Sequence, residues 1–254
     1  MPFDFGYRHH PEQYNPARNL RSARLRRNDR LRIDPFPIQD AETLIEAIHR
    51  DWGEAQGNYD EFRFFTGLRP SEEIALVLTD LDLANGIVSI HRARVGDVER
   101  NCTKTGEGRR VALCPRALLV LKEQLALRAR LEADGKIDHE YVFVQSNGAP
   151  LSNLQYPQWR WRGTLGALKL RYRRPYAARH SSVSWNLMIG KNPLWVSKQH
   201  GHSIETMLRV YAAWAEGAVE ADIAAINRAM NARPTKRPQT NLAVDLALEA
   251  AATH

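Results

Sequence analysis

The sequence predicts a mainly helical α+β domain with one small antiparallel β-sheet. Apolar residues recur at helical spacing over most of the chain after residue 40, and segments of strand-like composition cluster between residues 87 and 114. With 254 residues, 43% of them hydrophobic, the chain can bury one sizeable core, since domains commonly hold about 100–200 residues. We therefore expect a main domain at 40–233, between a basic arm (1–39) and a C-terminal spacer with a short helix (234–254).

The N-terminal arm is rich in arginine and has little apolar periodicity. Its first 32 residues hold eight arginines against three acidic side chains, a composition typical of a linker or of an arm that contacts a polyanion. The start of the chain lacks the apolar stretch of a signal peptide, and no run of about 18 apolar residues occurs further on. These features predict a cytoplasmic protein that has no membrane contact.

Helical patterns and turns alternate in the first half of the main domain. One amphipathic pattern begins at Asp40 and a second covers residues 59–68. Pro70 is tolerated in a first helical turn, so SEEIALVL is predicted to begin a third helix. Strand-like segments follow near Val88, at 98–103 and in RRVALC, and the turn KTGEGR places Lys104 near the tip of a hairpin.

The second half of the main domain is predicted to be helical except for one short strand. A long helical pattern starts at Pro115, and the apolar run YVFV predicts a strand at 141–144. Asn192 and Ser203 suit the N-cap position of two later helices. The helices predicted after this strand are 153–170, 175–189, 193–199, 203–214 and 219–231. PTKRPQT then reads as a flexible spacer before an Ala- and Leu-rich helix at 242–252.

The distribution of charge indicates a nucleic-acid partner. The net charge is +7 and the pI is near 9.6, and no Asp or Glu occurs from residue 141 to residue 204. The bases expected to contact DNA are Arg160, Arg162, Lys169, Arg171, Arg173, Arg174 and Lys198. The aromatic residues among them suit either a groove along a phosphate backbone or the core of the domain: Trp159, Trp161, Tyr172, Tyr176, Trp185 and Trp195.

No metal site or cofactor site is predicted. Cys102 and Cys114 have no partners at the spacing of metal ligands, so they are expected to be reduced structural thiols. Asp80 and Asp82 form a pair that no third acidic residue joins, which argues against a two-metal nuclease. His180 and His200 have no matching carboxylates and are interpreted as structural or phosphate-contacting residues.

Four segments resemble, in order, the motifs of the tyrosine recombinase or phage integrase family: TGLRPSEEIALVLTDLDL, TKTGEGRRVAL, YAARHSSVS and QHGHSIETMLRVYAAW. Taken singly, an arginine, histidine or tyrosine in such a string is more often structural, whereas five matches in order are a specific signature. The matches imply as catalytic residues Arg69, Lys104, Arg179, His202 and Tyr211. Tyr176 is also a candidate, at a position where the family most often has histidine and sometimes lysine.

The resemblance implies a cleavage and rejoining reaction on double-stranded DNA without metal or cofactor. Tyr211 would attack a phosphate to form a 3′-phosphotyrosyl ester, and Arg69 and Arg179 would bind its non-bridging oxygens. Lys104 would give a proton to the leaving 5′ oxygen, while His202 would hydrogen-bond the phosphate. Glu72 is a plausible orienting partner for the arginines or the lysine, although a carboxylate at a helix start is often only structural.

The resemblance also implies a tetramer on DNA, in which residues 242–252 are a candidate for docking on a neighbouring subunit. Family members usually place a helical DNA-clamping domain before the catalytic domain, and NPARNL resembles the linker that follows such a domain. Two other functions therefore stay open. One is a catalytically silent DNA-binding fragment, and the other is a relaxing enzyme similar to type IB topoisomerases.

Overall fold

The computed structural model describes residues 33–96, 98–100, 108–151, 155–216 and 219–233, and the compact unit that contains them begins at Ile33. Eight α-helices lie within these residues: α1 (Ile38–Thr66), α2 (Pro70–Glu73), α3 (Pro115–Ala133), α4 (Gln155–Ala167), α5 (Ala177–Met188), α6 (Pro193–His200), α7 (Ile204–Glu216) and α8 (Glu220–Asn231). The strands are β1 (Leu81–Asp82), β2 (Ile87–Ile90), β3 (Ala93–Val95), β4 (Val98–Arg100) and β5 (Arg109–Ala112). The predicted α+β class with a small antiparallel sheet is confirmed.

The first helix is the central element of the domain. It packs against α3, α4, α5 and α8. The sequence predicted two helices here, and the structure joins them through Gly53, whose backbone leaves the helical region (φ 78°, ψ 179°). Glycine adopts this conformation without the steric cost that a Cβ would bring. The interruption is therefore a local kink within α1.

The strands form two separate antiparallel pairings. β1, β2 and β5 make a three-stranded sheet in that order, in which Val88 lies between Leu81 and Val111. β3 and β4 pair only with each other. The segment RRVALC thus pairs with β2. The sequence had suggested that it pairs with the strand at Val98, but that strand pairs with β3. The turn that contains Lys104 lies outside the described residues.

Two short elements differ from their prediction. The helix expected from Pro70 ends at Glu73, and the chain then continues to Val77, which forms an isolated bridge with Tyr141. All four residues from Ile74 to Val77 are buried, so this run has no polar face for an amphipathic helix. The strand expected at YVFV is likewise reduced to bridges at Tyr141 and Val144.

The later helices follow the sequence prediction within a few residues. The side chain of Asn192 accepts the backbone N–H groups of Leu194 and Trp195, which confirms it as the N-cap of α6. Ser203 Oγ accepts the backbone N–H of Thr206 at 3.2 Å in the first turn of α7. These caps set the start of the two helices that lead into the candidate site.

An aromatic core fixes α5, which carries two of the site residues. Phe64 of α1 stacks on Trp161 and on Trp185, with ring centroids 5.6 and 5.7 Å apart. Phe36 joins this core, and its backbone N–H donates to Ser181 Oγ at 2.8 Å. Residues 33–39, assigned from sequence to the arm, therefore pack with the main domain.

None of the helices in the described part of the chain is both long enough and apolar enough to cross a bilayer.

Candidate active site

The first candidate arginine, Arg69, lies at the junction of α1 and α2. Gly67 ends α1 in the left-handed conformation (φ 64°), and Arg69 then takes the N-cap position of α2. The carboxylate of Glu72 accepts both the backbone N–H of Arg69 at 2.9 Å and its guanidinium at 2.6 Å. The expected contact of Glu72 with an arginine is confirmed. The arginine is thus held to the start of its own helix at two points.

Glu72 binds a second arginine that the sequence did not single out. Arg109 of β5 donates to both carboxylate oxygens, at 2.9 and 2.6 Å. Although burial alone would disfavour the charged form, the hydrogen bonds and charge of Arg109, followed by those of Arg69, lower the pKa of Glu72 to about 2. The carboxylate is therefore ionised at ordinary pH and links β5 to α2.

Three arginines meet at the C-terminal end of α6. The last carbonyls of a helix have no partner within it and form the negative end of its dipole. Here three consecutive carbonyls each accept from a different guanidinium: Gln199 from Arg109 at 3.2 Å, His200 from Arg179, and Gly201 from Arg69 at 3.0 Å. The end of α6 thus gathers cations from β5, α5 and the start of α2.

Arg179 is the most deeply buried of the three, with no exposed surface. It donates to the carbonyl of Gly67 at 2.7 Å, but its Nε has no hydrogen-bond partner. Among the described residues no carboxylate forms an ion pair with it, unlike Arg69 and Arg109. Burial, and next the charge of Arg69, lower the pKa of Arg179 to about 10, so it stays cationic at neutral pH. A buried cation of this kind is suited to hold an anion.

His202 lies beside Arg179 just after α6. Its Nε2 is 2.8 Å from Arg179 Nη2, and its Nδ1 is buried without a partner. Burial, and then the charge of Arg179, lower the pKa of His202 to about 3, so the ring is neutral. Because Nε2 faces the N–H of a guanidinium, the ring proton belongs on Nδ1. This N–H and the Nε of Arg179 are two donors left over for a ligand.

Tyr211 of α7 completes the cluster. Its side chain is 1% exposed, and its ring stacks on that of His202 with centroids 5.8 Å apart. Its hydroxyl lies 2.6 Å from Nδ1 of His180, the residue that follows Arg179 on α5. Burial raises the pKa of Tyr211 above its usual range, although the charge of Arg179 opposes this. The phenol is protonated until something removes its proton.

The structure therefore brings four of the six predicted catalytic residues into one cluster: Arg69, Arg179, His202 and Tyr211. Lys104 lies outside the described residues. Tyr176 is at the N-cap of α5 and 39% exposed, and its ring meets the edge of the His180 ring at 5.2 Å between centroids. It reaches the cluster through His180.

The predicted DNA-contacting bases fall into two groups. Arg162, Lys169, Arg171, Arg174 and Lys198 are exposed, as DNA contact requires. Arg173 is 8% exposed and pairs with Asp34 and Asp40, so it is a packing residue and not a DNA contact. Arg160 is half-buried and lies over the ring of Trp52. Among the aromatics, Trp161 and Trp185 belong to the core, whereas Trp159, Tyr172, Tyr176 and Trp195 are exposed.

Comparison with known proteins agrees with this geometry. The model of the phage integrase family matches residues 38–217, which include the whole described cluster. The chain belongs to the phage integrase family. Prophage integrase IntR of Escherichia coli (strain K12) is 30% identical to it over 222 residues, covering 80% of this chain and 53% of that protein. Tyrosine recombinase XerC of Thermodesulfovibrio yellowstonii is 26% identical over 207 residues, covering 78% and 62%.

Solved structures of integrases share the fold. The Tn1549 transposon integrase in complex with transposon right end DNA superposes with a TM-score of 0.60 at 17% identity, covering 77% of this chain and 65% of that one. At this identity the likeness establishes the fold of the domain. This integrase-family chain spans 53% of the length of IntR and 62% of the length of that XerC.

Two site residues were not assigned a role from sequence. Arg109 lies within the matched hairpin motif, but its carboxylate partner is 37 residues away in the chain. His180 was interpreted as structural or phosphate-contacting because no carboxylate accompanies it, and its partner is the hydroxyl of Tyr211, 31 residues away. The spacing of His180 four residues after Tyr176 was the available signal, because it puts both side chains on one face of α5.

Proposed function

We propose that this chain is the catalytic part of a site-specific DNA recombinase or integrase that acts in the cytoplasm. Tyr211 attacks a DNA phosphate, forms a 3′-phosphotyrosyl ester and releases a 5′ hydroxyl. The 5′ hydroxyl of a second strand then attacks that ester and restores the phosphodiester bond. Each step exchanges one phosphate ester for another, so bond energy is conserved and neither ATP nor a metal ion is consumed.

The observation that carries this proposal is the meeting of a phenol with unpaired cationic donors. Arg179 Nε and His202 Nδ1 are buried without partners, and His202 stacks on Tyr211. Donors of this kind stabilise the charge that builds on non-bridging oxygens as the nucleophile attacks. Arginine suits the task because its Nη groups can hold the carbonyls of Gly67 and His200 while Nε stays available for a phosphate oxygen.

The positive charge of the cluster exceeds its negative charge. Arg69 and Arg109 share the carboxylate of Glu72, and Arg179 has no carboxylate at ion-pair distance among the described residues. The resulting field favours a phosphate over a neutral ligand. Lys104, whose motif resembles that of the family's proton donor to the 5′ oxygen, would complete the set.

Double-stranded DNA is the proposed partner, and the exposed bases Arg162, Lys169, Arg171, Arg174 and Lys198 are the proposed backbone contacts. The Tn1549 integrase with which the fold agrees was solved in complex with transposon right end DNA. We further propose a tetramer on two duplexes, in which residues 242–252 of one subunit dock on the next. Deletion after Arg233 should then abolish self-association on DNA, while DNA retention by the monomer persists.

Covalent trapping tests the proposal. The protein is incubated without metal on a nicked suicide DNA that loses its 5′ fragment after cleavage, and the products are separated under denaturing conditions. We expect a denaturant-resistant protein–DNA adduct that Tyr211→Phe abolishes. Tyr141→Phe is the matched control, because it removes a hydroxyl that binds Glu99 outside the cluster, and it should leave the adduct intact.

The same experiment separates the competing functions. DNA retention without any adduct would favour a silent DNA-binding fragment. Adduct formation with plasmid relaxation but without recombinants would favour a relaxing enzyme. Recombinant products from two target duplexes would support strand exchange.

A further inference from the structure

The hydroxyl of Tyr211 has one hydrogen-bond partner among the described residues, and that partner is an imidazole. His180 Nδ1 lies 2.6 Å from the phenol oxygen, and the two rings are tilted by 41° with centroids 5.9 Å apart. This separation is that of a strong O–H to nitrogen hydrogen bond. With its proton on Nε2, neutral His180 accepts the hydrogen of the phenol.

The fold holds the His180 ring in this position. His180 lies on α5 directly after Arg179, whose guanidinium is fixed by the Gly67 carbonyl. One turn earlier, Tyr176 places its ring against the edge of the imidazole at an interplanar angle of 73°. The ring of Tyr176 therefore limits how far the imidazole can turn away from Tyr211.

The other two imidazoles of the cluster are already engaged. His200 uses Nδ1 on the carbonyl of Val196 at 3.0 Å and Nε2 on Ser182 Oγ at 3.2 Å. His202 uses Nε2 on Arg179. Neither His200 nor His202 therefore has a free acceptor nitrogen that faces the hydroxyl of Tyr211. His180 is the imidazole whose acceptor nitrogen meets the nucleophile.

We infer that His180 is the proton acceptor for Tyr211 in DNA cleavage, an inference that rests on the function proposed above. As the phenol oxygen bonds to phosphorus, its O–H bond breaks and the proton moves to Nδ1, giving an imidazolium. The bond from phosphorus to the 5′ oxygen breaks on the opposite side, and that oxygen takes a proton from the general acid. In rejoining, the imidazolium returns its proton to the departing phenol oxygen.

The charges around His180 keep its imidazole unprotonated before the reaction, as a general base requires. Burial, and next the charge of Arg179, lower the pKa of His180 to about 4, so its ring is neutral at pH 7. The ionisable groups that face it are Arg179 and Tyr176 on its own helix, Tyr211 from α7, and His202 from the turn before α7. A phosphate bound to Arg179 offsets that positive charge, which favours protonation of the imidazole when the nucleophile attacks.

The first test is the rate of adduct formation by His180→Asn on suicide DNA, measured as a single turnover from pH 4.5 to pH 9. Asparagine retains a hydrogen-bonding group at the place of Nδ1 but takes up no proton at these pH values. We expect a rate about 10²-fold below that of the wild type, in keeping with the loss of a general base. Because the pKa of His180 is about 4, the wild-type rate should fall only at the acid end of this range, and this fall should be absent in the variant. His91→Asn, outside the cluster, is the matched control and should behave like the wild type.

A modified substrate distinguishes the base from the acid. With sulfur in place of the bridging 5′ oxygen, the leaving thiolate needs no proton. This DNA should rescue Lys104→Ala but leave His180→Asn slow. Rescue of His180→Asn, or a rate within about twofold of the wild type on ordinary DNA, would overturn the inference.

If His180→Asn does not fold, a measurement that needs neither this variant nor turnover tests the inference. The ¹⁵N chemical shifts of the His180 ring in the wild-type protein report whether Nδ1 accepts a hydrogen bond, and Tyr211→Phe removes only the donor. A change at Nδ1 in Tyr211→Phe supports the inference, and unchanged shifts overturn it. A wild-type protein that forms no adduct would instead overturn the proposed function, whatever the shifts show.

Discussion

Two buried charge clusters in this domain have opposite balances. Around Glu61, the cations Arg116 and Arg233 are also bound by Glu42 and Glu123, and no buried polar atom of Glu61, Arg116 or Arg233 lacks a partner. At the end of α6, Glu72 pairs with Arg69 and Arg109, and the third arginine, Arg179, has no carboxylate partner among the described residues. The buried polar atoms of the first cluster are all paired, whereas the second cluster has two buried donors without a partner, Arg179 Nε and His202 Nδ1. We interpret the Glu61 cluster as a stabilising element of the fold and propose the α6 cluster as the site that receives an anion.

The sharpest test of this contrast is Arg179→Met, which removes a buried cation but retains much of its volume. We expect adduct formation to fall about 10²–10³-fold, as for the loss of one donor to a developing oxyanion. The free energy of unfolding should be unchanged or higher, because the lost charge has no carboxylate at ion-pair distance among the described residues. Single-turnover trapping and urea unfolding measure the two effects.

Glu61→Gln should show the reverse pattern. Burial opposes ionisation of Glu61, but His49 and Arg116 lower its pKa well below the ordinary value of 4.5. Removing this charge leaves two buried arginines with one carboxylate fewer, and we expect a loss of about 3–5 kcal/mol in unfolding free energy. Adduct formation at a temperature where the variant is folded should stay near the wild-type rate. If Glu61→Gln were as stable as the wild type but slow in adduct formation, the Glu61 cluster would serve catalysis and the contrast would be wrong.

Gly67→Ala tests the backbone that supports the α6 cluster. A Cβ at Gly67 would lie 2.4 Å from the ring of His200, and φ is +64°. Gly86 has almost the same φ, +62°, but nothing within 4 Å, so Gly86→Ala carries only the backbone cost of about 1–2 kcal/mol. We expect Gly67→Ala to lose about 1–3 kcal/mol more, because the clash is added. Equal losses in thermal unfolding would show that the ring of His200 simply moves aside.

The smallest effect is expected outside both clusters, on the salt dependence of DNA binding. Arg162→Gln should lower the slope of log K against log salt by about one, as for one lost phosphate contact. Arg173→Gln should leave the slope unchanged and lower stability, because Arg173 is buried against Asp34 and Asp40. A reduced slope for Arg173→Gln would return it to the DNA-contacting set.

The sequence was sufficient for the class of fold and for four of the residues that meet in the site. Helix caps such as Asn192 and motif residues such as Arg69 and Tyr211 carry local signals that survive folding. An ion-pair partner that lies far away in the chain leaves no such local signal in the sequence. Arg173 lies in a stretch without acidic residues, yet Asp34 and Asp40 reach it from the start of the domain.

The same limit explains why the chemistry of the site was only partly predicted. A motif names Arg179 but does not reveal that burial leaves its Nε without a partner. Nor does the string RH show that the imidazole after the arginine lies 2.6 Å from the hydroxyl of Tyr211. Similarly, the apolar run at Ile74–Val77 suits a helix or an extended segment, and in the structure it leaves the helix through a turn at Ile74 and becomes extended at Val77, which bridges to Tyr141.

The most direct test of the central claim is to identify the residue that carries the DNA. The trapped adduct is digested with nuclease and protease, and the peptide that retains nucleotide is sequenced by mass spectrometry. We predict a phosphotyrosyl ester at Tyr211, on the peptide that contains RVYAAW. An ester on any other residue would contradict the assignment of the buried phenol, its cationic cluster and His180 as one catalytic unit.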